Sequence, residues 1–428
     1  MNSVTSKLYN ISHEIQSNTV MNRAVLGVFG FSIPYALNAN NKTEAKERIL
    51  DCSLYMTIAY GSPALLLPLI NKTVLRRAGI IKNFKDKGVE IVRVSKGYLT
   101  ENAPKMIKGI KEKGEELGLE KEFNEILANF KGKEETLRKT LIKCHKNIAA
   151  ADFIFTNCGI ASIPWIVNEF TERTTGRKGY SGEFKMADKN YTDKQSEKHE
   201  KNKWKKMALS YALAITPSIV LPGVLAKAML KNPAKLKGVS KWLNKNAQNF
   251  DYKDGKYMSM LTFAAMWITG EFPTYLLACR NKHELKYKSV AFPILGSFFF
   301  VGDRLLNNIF GRTIDRFKKT QIMNNKEYKN AGFWKKLWMP MKSLNDIKKL
   351  PGDLGVKSLK YATGTYWGNL AINAALLGVL LPKILNKVLH NDVKAETSPK
   401  NSFFNLSETL RLYTTKTHSQ PAHKLYEK

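Results

Sequence analysis

The chain has 428 residues, is 43% hydrophobic and carries a formal net charge of +33, from 69 Lys and Arg against 36 Asp and Glu. Arg supplies only 13 of those cations. Base-reading proteins lean on the planar Arg fork, so composition argues against nucleic acid as a partner and towards anionic lipid headgroups, which attract lysine. Four Cys with no CxxC pair and seven scattered His give no disulfide framework and no zinc motif; no metal or cofactor is expected.

Along the chain, apolar blocks alternate with Lys-rich stretches. A helix needs about 20 apolar residues to cross roughly 30 Å of hydrocarbon. Within residues 1–75 the blocks Ala24–Asn41 and Cys52–Asn71 form a first helix pair, joined by the charged loop Lys42–Asp51. Residues 76–148 are basic, and Leu119, Phe123, Ile126, Leu127 and Phe130 recur at helical spacing, the pattern of an amphipathic insert. Residues 149–230 hold a second pair, Ala149–Asn168 and Met207–Ala226, separated by a polar stretch, 169–206, with too few aliphatic residues to form a core and read as a flexible loop. Residues 231–311 open with a basic loop and hold a third pair, Met258–Cys279 and Ser289–Gly311. In 312–360, Trp334 and Trp338 lie four apart beside lysines, the composition of an interfacial anchor. A last block, Tyr361–Pro382, belongs to 361–390, and 391–428 is a polar tail. The expectation is an all-α, polytopic membrane protein of about six or seven spans arranged as helix pairs.

Prolines punctuate these blocks. Pro34, Pro164, Pro273 and Pro382 sit towards the ends of the odd blocks, and an Asn follows four residues later at Asn38, Asn168 and Asn386. Pro63, Pro217 and Pro293 occupy the even blocks. Each removes a backbone hydrogen bond, so all seven are candidate kinks. The recurrence suggests an internal repeat whose unit is a helix pair.

Ionisable groups inside apolar blocks are costly and usually paired or functional. Glu271, Asp303, Arg304 and Asp152 are the candidates, with Asn369 and Asn373 sharing one face of the last block. Arg304 is a candidate partner for Glu271. No phosphate-binding loop, dinucleotide glycine motif or nucleophile elbow is present, so an enzyme is not expected. Three function classes stand. The first is a transporter or channel-like protein for an unidentified small molecule or ion, in which Glu271 and the Asn residues line one cavity. The second is a structural or lipid-organising membrane protein, in which Glu271 pairs with a basic residue and no cavity exists. The third is a soluble basic all-α protein that binds membrane surfaces or nucleic acid.

Overall fold

A computed structural model describes residues 24–93, 102–130, 133–230, 236–246, 260–323 and 344–397, with a few short pieces elsewhere. Among these the chain is helical, apart from a two-residue ladder pairing Tyr252–Lys253 with Tyr257–Met258 and one isolated bridge. In chain order the helices are α1 (Leu26–Leu37), α2 (Lys42–Arg77), α3 (Gly88–Arg93), α4 (Ala103–Glu116), α5 (Glu120–Asn129), α6 (Glu134–Thr175), α7 (Lys189–Lys201), α8 (Lys203–Leu230), α9 (Gly238–Asn246), α10 (260–277), α11 (Lys282–Gly302), α12 (Asp303–Lys318), α13 (Leu344–Lys348) and α14 (Gly352–Glu396).

Four helices, α2, α6, α8 and α14, are long and apolar enough to cross a membrane, and the bent pair α11 and α12, at 46°, makes a fifth. This corrects the expected six or seven. The first block supplies only α1, about 18 Å at 1.5 Å per residue, short of a bilayer core. It ends at Asn38 because a capped turn follows. The fifth block ends in the same kind of turn and carries Glu271.

Both turns are written locally. Asn41 caps α2: its extended backbone lets Oδ1 accept from the Glu44 N–H at 2.9 Å, and the Glu44 carboxylate reaches back to the Asn40 N–H at 2.6 Å. Asn281 caps α11 in the same way, accepting from the Glu284 N–H at 2.9 Å, while Glu284 accepts from the Arg280 N–H at 2.8 Å. Each is a variant of the capping box in which the Glu accepts from the residue before the cap, and two backbone N–H groups gain partners.

Prolines set the rest of the local geometry. Among the described residues five stretches are π-helical, and in four of them a Pro is the second residue beyond the stretch. Leu26–Ser32 precedes Pro34, Thr57–Gly61 precedes Pro63, Trp267–Glu271 precedes Pro273, and Ala374–Leu380 precedes Pro382. The wider turn absorbs the missing N–H and the clash of the ring with the preceding carbonyl. Pro164, Pro217 and Pro293 sit inside regular α-helix.

The order of elements occurs twice. A π-containing short helix, a capped turn, a long helix interrupted by a π stretch and a very long helix make up α1, α2 and α6; the same sequence makes up α10, α11 with α12, and α14. Tyr35, Asn41, Lys42, Glu44 and Arg48 correspond to Tyr275, Asn281, Lys282, Glu284 and Lys288 at one constant spacing. The recurrence joins the two capped turns and the helices around them, and it sets a first half, α1 to α6, against a second, α10 to α14, with α8 between. The halves interlock. Asn168 of the first donates to the Ala278 carbonyl that ends α10, at 2.9 Å, and Asn386 of the second donates to the Asn38 carbonyl that ends α1, also at 2.9 Å.

At the end remote from these turns, α4 and α5 pack on α2, α6 and α8. Met106, Ile110, Phe123 and Ile126 join Leu75, Leu137, Ile142 and Met229 in one apolar cluster. The segment 169–206, expected to be a flexible loop, is folded. α6 runs on to a left-handed Gly176 (φ 66°), a short 3₁₀ turn covers Ser181–Glu183, and α7 starts at the cap Asp188. Its order comes from polar contacts that composition does not count. The Arg177 guanidinium, for example, donates to the carbonyls of Phe184 at 3.2 Å and Ala187 at 3.0 Å. Trp334, Trp338 and residues 398–428 lie outside the described residues.

Candidate functional site

The two capped turns bring a set of buried charges face to face. Arg48 donates to Glu44 at 2.7 Å, to the Tyr35 carbonyl at 2.7 Å and to the Tyr287 hydroxyl at 3.1 Å, with its guanidinium 3.9 Å above the Tyr35 ring. Across the interface Arg280 grips Glu47 through two nitrogens, at 2.8 and 3.2 Å, and Glu284 through two more contacts, at 3.0 and 3.2 Å. Lys288 completes the chain of pairs at 2.8 Å from Glu284. Three cations thus balance three carboxylates, and Arg280 and its glutamates are almost wholly buried. Buried charge is tolerated when the hydrogen bonds are satisfied, and the forked guanidinium suits that role.

A strap closes this cluster on the side of the turns. Ser181 and Thr171 hydroxyls donate to Glu47, and Tyr180 donates to Glu44 at 3.3 Å. The cap Asn41 donates to the Ser181 carbonyl at 2.7 Å, and its counterpart Asn281 donates to both oxygens of Glu183 at 3.1 Å. His283 faces Glu183 with Nδ1, at 2.7 Å, and Glu396 with Nε2, at 3.2 Å. Two carboxylate partners suit an imidazolium that donates from both nitrogens.

On the other side lies a cavity of about 150 Å³ between the two halves. All five π stretches contribute to it, through residues such as Phe31, Tyr60, Trp267, Phe300 and Leu377. A second, smaller cavity of about 40 Å³ runs among the ion pairs, and Tyr35, Asp51, Tyr275 and Lys288 line both. Cavity, ion cluster and strap therefore follow one another along the interface between the halves.

The residues singled out from the sequence take varied places. Glu271 is buried and accepts from the Tyr55 hydroxyl at 2.9 Å; Tyr55 lines the cavity, while Glu271 lies behind it. Among the described residues no Lys or Arg pairs with Glu271, and the side chains of Asp303 and Arg304 lie outside that set. Asn373 lines the cavity and donates to the Asn369 carbonyl at 2.9 Å and to its side-chain oxygen at 3.0 Å. Asp152 is buried on α6, away from the cavity. Sequence reasoning missed Glu44, Glu47, Arg48, Asp51, Arg280, Glu284 and Lys288, which read as loop charges. The signal that finds them is the Asn-x-x-Glu capping pattern, present in both turns and followed four residues later by a base. Among the described residues no three His, Cys, Asp or Glu converge as a metal ion would require. Comparison with protein-family models, with curated proteins and with solved structures gave no match.

Proposed function

We propose that this chain is a multi-pass membrane transporter in which a small solute occupies the cavity between the two halves and the buried ion cluster is the closed gate beyond it. The observation that carries the reading is the continuity of cavity and cluster through Tyr35, Asp51, Tyr275 and Lys288. Internal repeats with a site at their interface, built from broken helices, recur in transporters. The outward faces support a bilayer setting: Leu65 on α2, Phe155 on α6, Ile219 on α8 and Ile384 on α14 are exposed apolar residues on spanning-length helices. The lysine-rich remainder suits anionic headgroups.

Cys52 lines the cavity and reports on it directly. Cys144→Ala, Cys158→Ala and Cys279→Ala leave it as the sole thiol. In sealed liposomes a membrane-impermeant thiol reagent is expected to label Cys52 from one face only, and Glu47→Gln, which weakens the gate, to open labelling from the opposite face. Release of the chain by alkaline carbonate, or no labelling from either face in either protein, refutes the reading.

A further inference from the structure

The walls of the cavity are mainly rings, with Tyr35, Tyr55, Tyr60, Trp267, Tyr275 and Phe292 among them. Two charged side chains reach it, Asp51 and Lys288. They are not equivalent. Lys288 is committed to Glu284 at 2.8 Å and lies 5.8 Å from the Tyr275 ring centre. Asp51 accepts from the Tyr275 hydroxyl at 2.8 Å, and no ion pair engages it among the described residues. Once the three cations of the cluster are matched with Glu44, Glu47 and Glu284, Asp51 is the carboxylate left over.

Two of the rings are arranged to favour positive charge. The Tyr55 hydroxyl donates to Glu271 at 2.9 Å and the Tyr275 hydroxyl to Asp51. A phenol that donates to a carboxylate gains electron density on its ring, which strengthens attraction to a cation over its face. The volume, about 150 Å³, is that of a cavity taking a benzene-sized guest. A neutral apolar guest would strip water from Asp51 and return nothing, and an anion would face that carboxylate with Lys288 already engaged.

From this geometry we infer that the cavity binds a small organic cation, an amine or quaternary ammonium, with Asp51 as counter-ion and the aromatic rings around its alkyl groups. The inference names the solute class for the transport reading and rests on it for what binding accomplishes, whereas binding itself is measured without transport.

The test is equilibrium dialysis of the full chain in detergent against choline, its neutral carbon isostere dimethylbutanol and the anion dimethylbutyrate. Choline is expected to bind at least about tenfold more tightly than either. Asp51→Asn is expected to weaken choline by a similar factor, and Tyr60→Leu, which leaves the ion pairs intact, by several-fold, each with an unchanged elution profile. Equal binding of the anion, absence of choline binding to the unaltered chain, or unchanged choline affinity in a folded Asp51→Asn overturns the inference. If Asp51→Asn fails to fold, Tyr60→Leu decides, and unchanged choline affinity in that variant is equally fatal. Choline that binds as expected but is not carried into liposomes upholds the site and refutes transport instead.

Discussion

Arg280→Met is the most informative single change, because Arg280 alone ties Glu47 of the first half to Glu284 of the second. After its removal Glu284 keeps Lys288 at 2.8 Å, but Glu47 keeps only the hydroxyls of Thr171 and Ser181. One buried carboxylate is left without a cation, which costs about 3–5 kcal/mol. Glu47→Met strands no charge so completely, since Arg280 retains Glu284. The double variant Glu47→Met with Arg280→Met removes both partners, and apolar replacement of a buried pair is often nearly neutral. Stability by chaotrope unfolding in micelles, followed by tryptophan fluorescence, should therefore fall steeply in Arg280→Met and recover by about 2–3 kcal/mol in the double variant relative to the sum of the singles. A loss under about 1 kcal/mol for Arg280→Met, with no coupling in the cycle, would show that water already solvates these charges and that the cluster does not lock the halves together.

Other changes probe the interlock and the strap. Asn168→Ala leaves the Ala278 carbonyl, at the end of α10, without its side-chain donor and is expected to cost about 1–2 kcal/mol in the same unfolding assay; an unaffected midpoint would remove the interlock from the account. A Cβ added at Gly378 would lie 2.1 Å from the Pro34 Cβ, whereas at Gly364 and Gly368, on the same helix, it meets nothing. Gly378→Ala is therefore expected to lose about 1–3 kcal/mol from overpacking, while Gly364→Ala and Gly368→Ala stay neutral or gain up to about 1 kcal/mol; equal effects at the three positions would contradict the close α1–α14 crossing. His199 on α7 stacks on Trp165 at 5.6 Å and lies 3.2 Å from the Lys206 ammonium. Burial, and then Lys206, lowers its pKa to about 4. Because the unfolded imidazole titrates near 6.5, the unfolded chain binds a proton between about pH 6.5 and 4 that the folded chain refuses, so stability is full above pH 6.5 and declines as pH falls through that window. The difference between the unaltered chain and His199→Gln, read by thermal unfolding across pH 4–7, should show that slope; parallel curves would place His199 in water.

The helical class, and the long apolar helices α2, α6, α8 and α14, were legible because hydrophobic blocks of spanning length report on themselves. The effect of the prolines was not uniform: four follow a π stretch, whereas Pro164, Pro217 and Pro293 sit inside regular α-helix. The π stretches before Pro34, Pro63, Pro273 and Pro382 needed the structure only to show which form the relief takes. What could not be read was the fate of charges at the block boundaries. Glu44, Glu47 and Arg280 look like loop residues in a linear chain. They are buried because Glu47 and Arg280, 233 positions apart, meet across an interface between halves. No window of sequence contains both partners.

The repeat shows the same limit from the other direction. Matching Pro34 with Pro164 paired helices that share a local motif, yet the hydrogen bonds pair α6 with α10 and α14 with α1. Asn168 and Asn386 perform one task, each closing the end of a short helix in the opposite half, at Ala278 and Asn38. Each capped turn is closed by its own residues, and the other half adds one donor to the carbonyl that ends its short helix. The same stretch of α6 borders the site: Asn168, which bonds the end of α10, and Val167 line the smaller cavity with Arg280. If the cluster is the gate we propose, opening it is a shift of one half against the other across Tyr35, Asp51, Tyr275 and Lys288, which line both cavities.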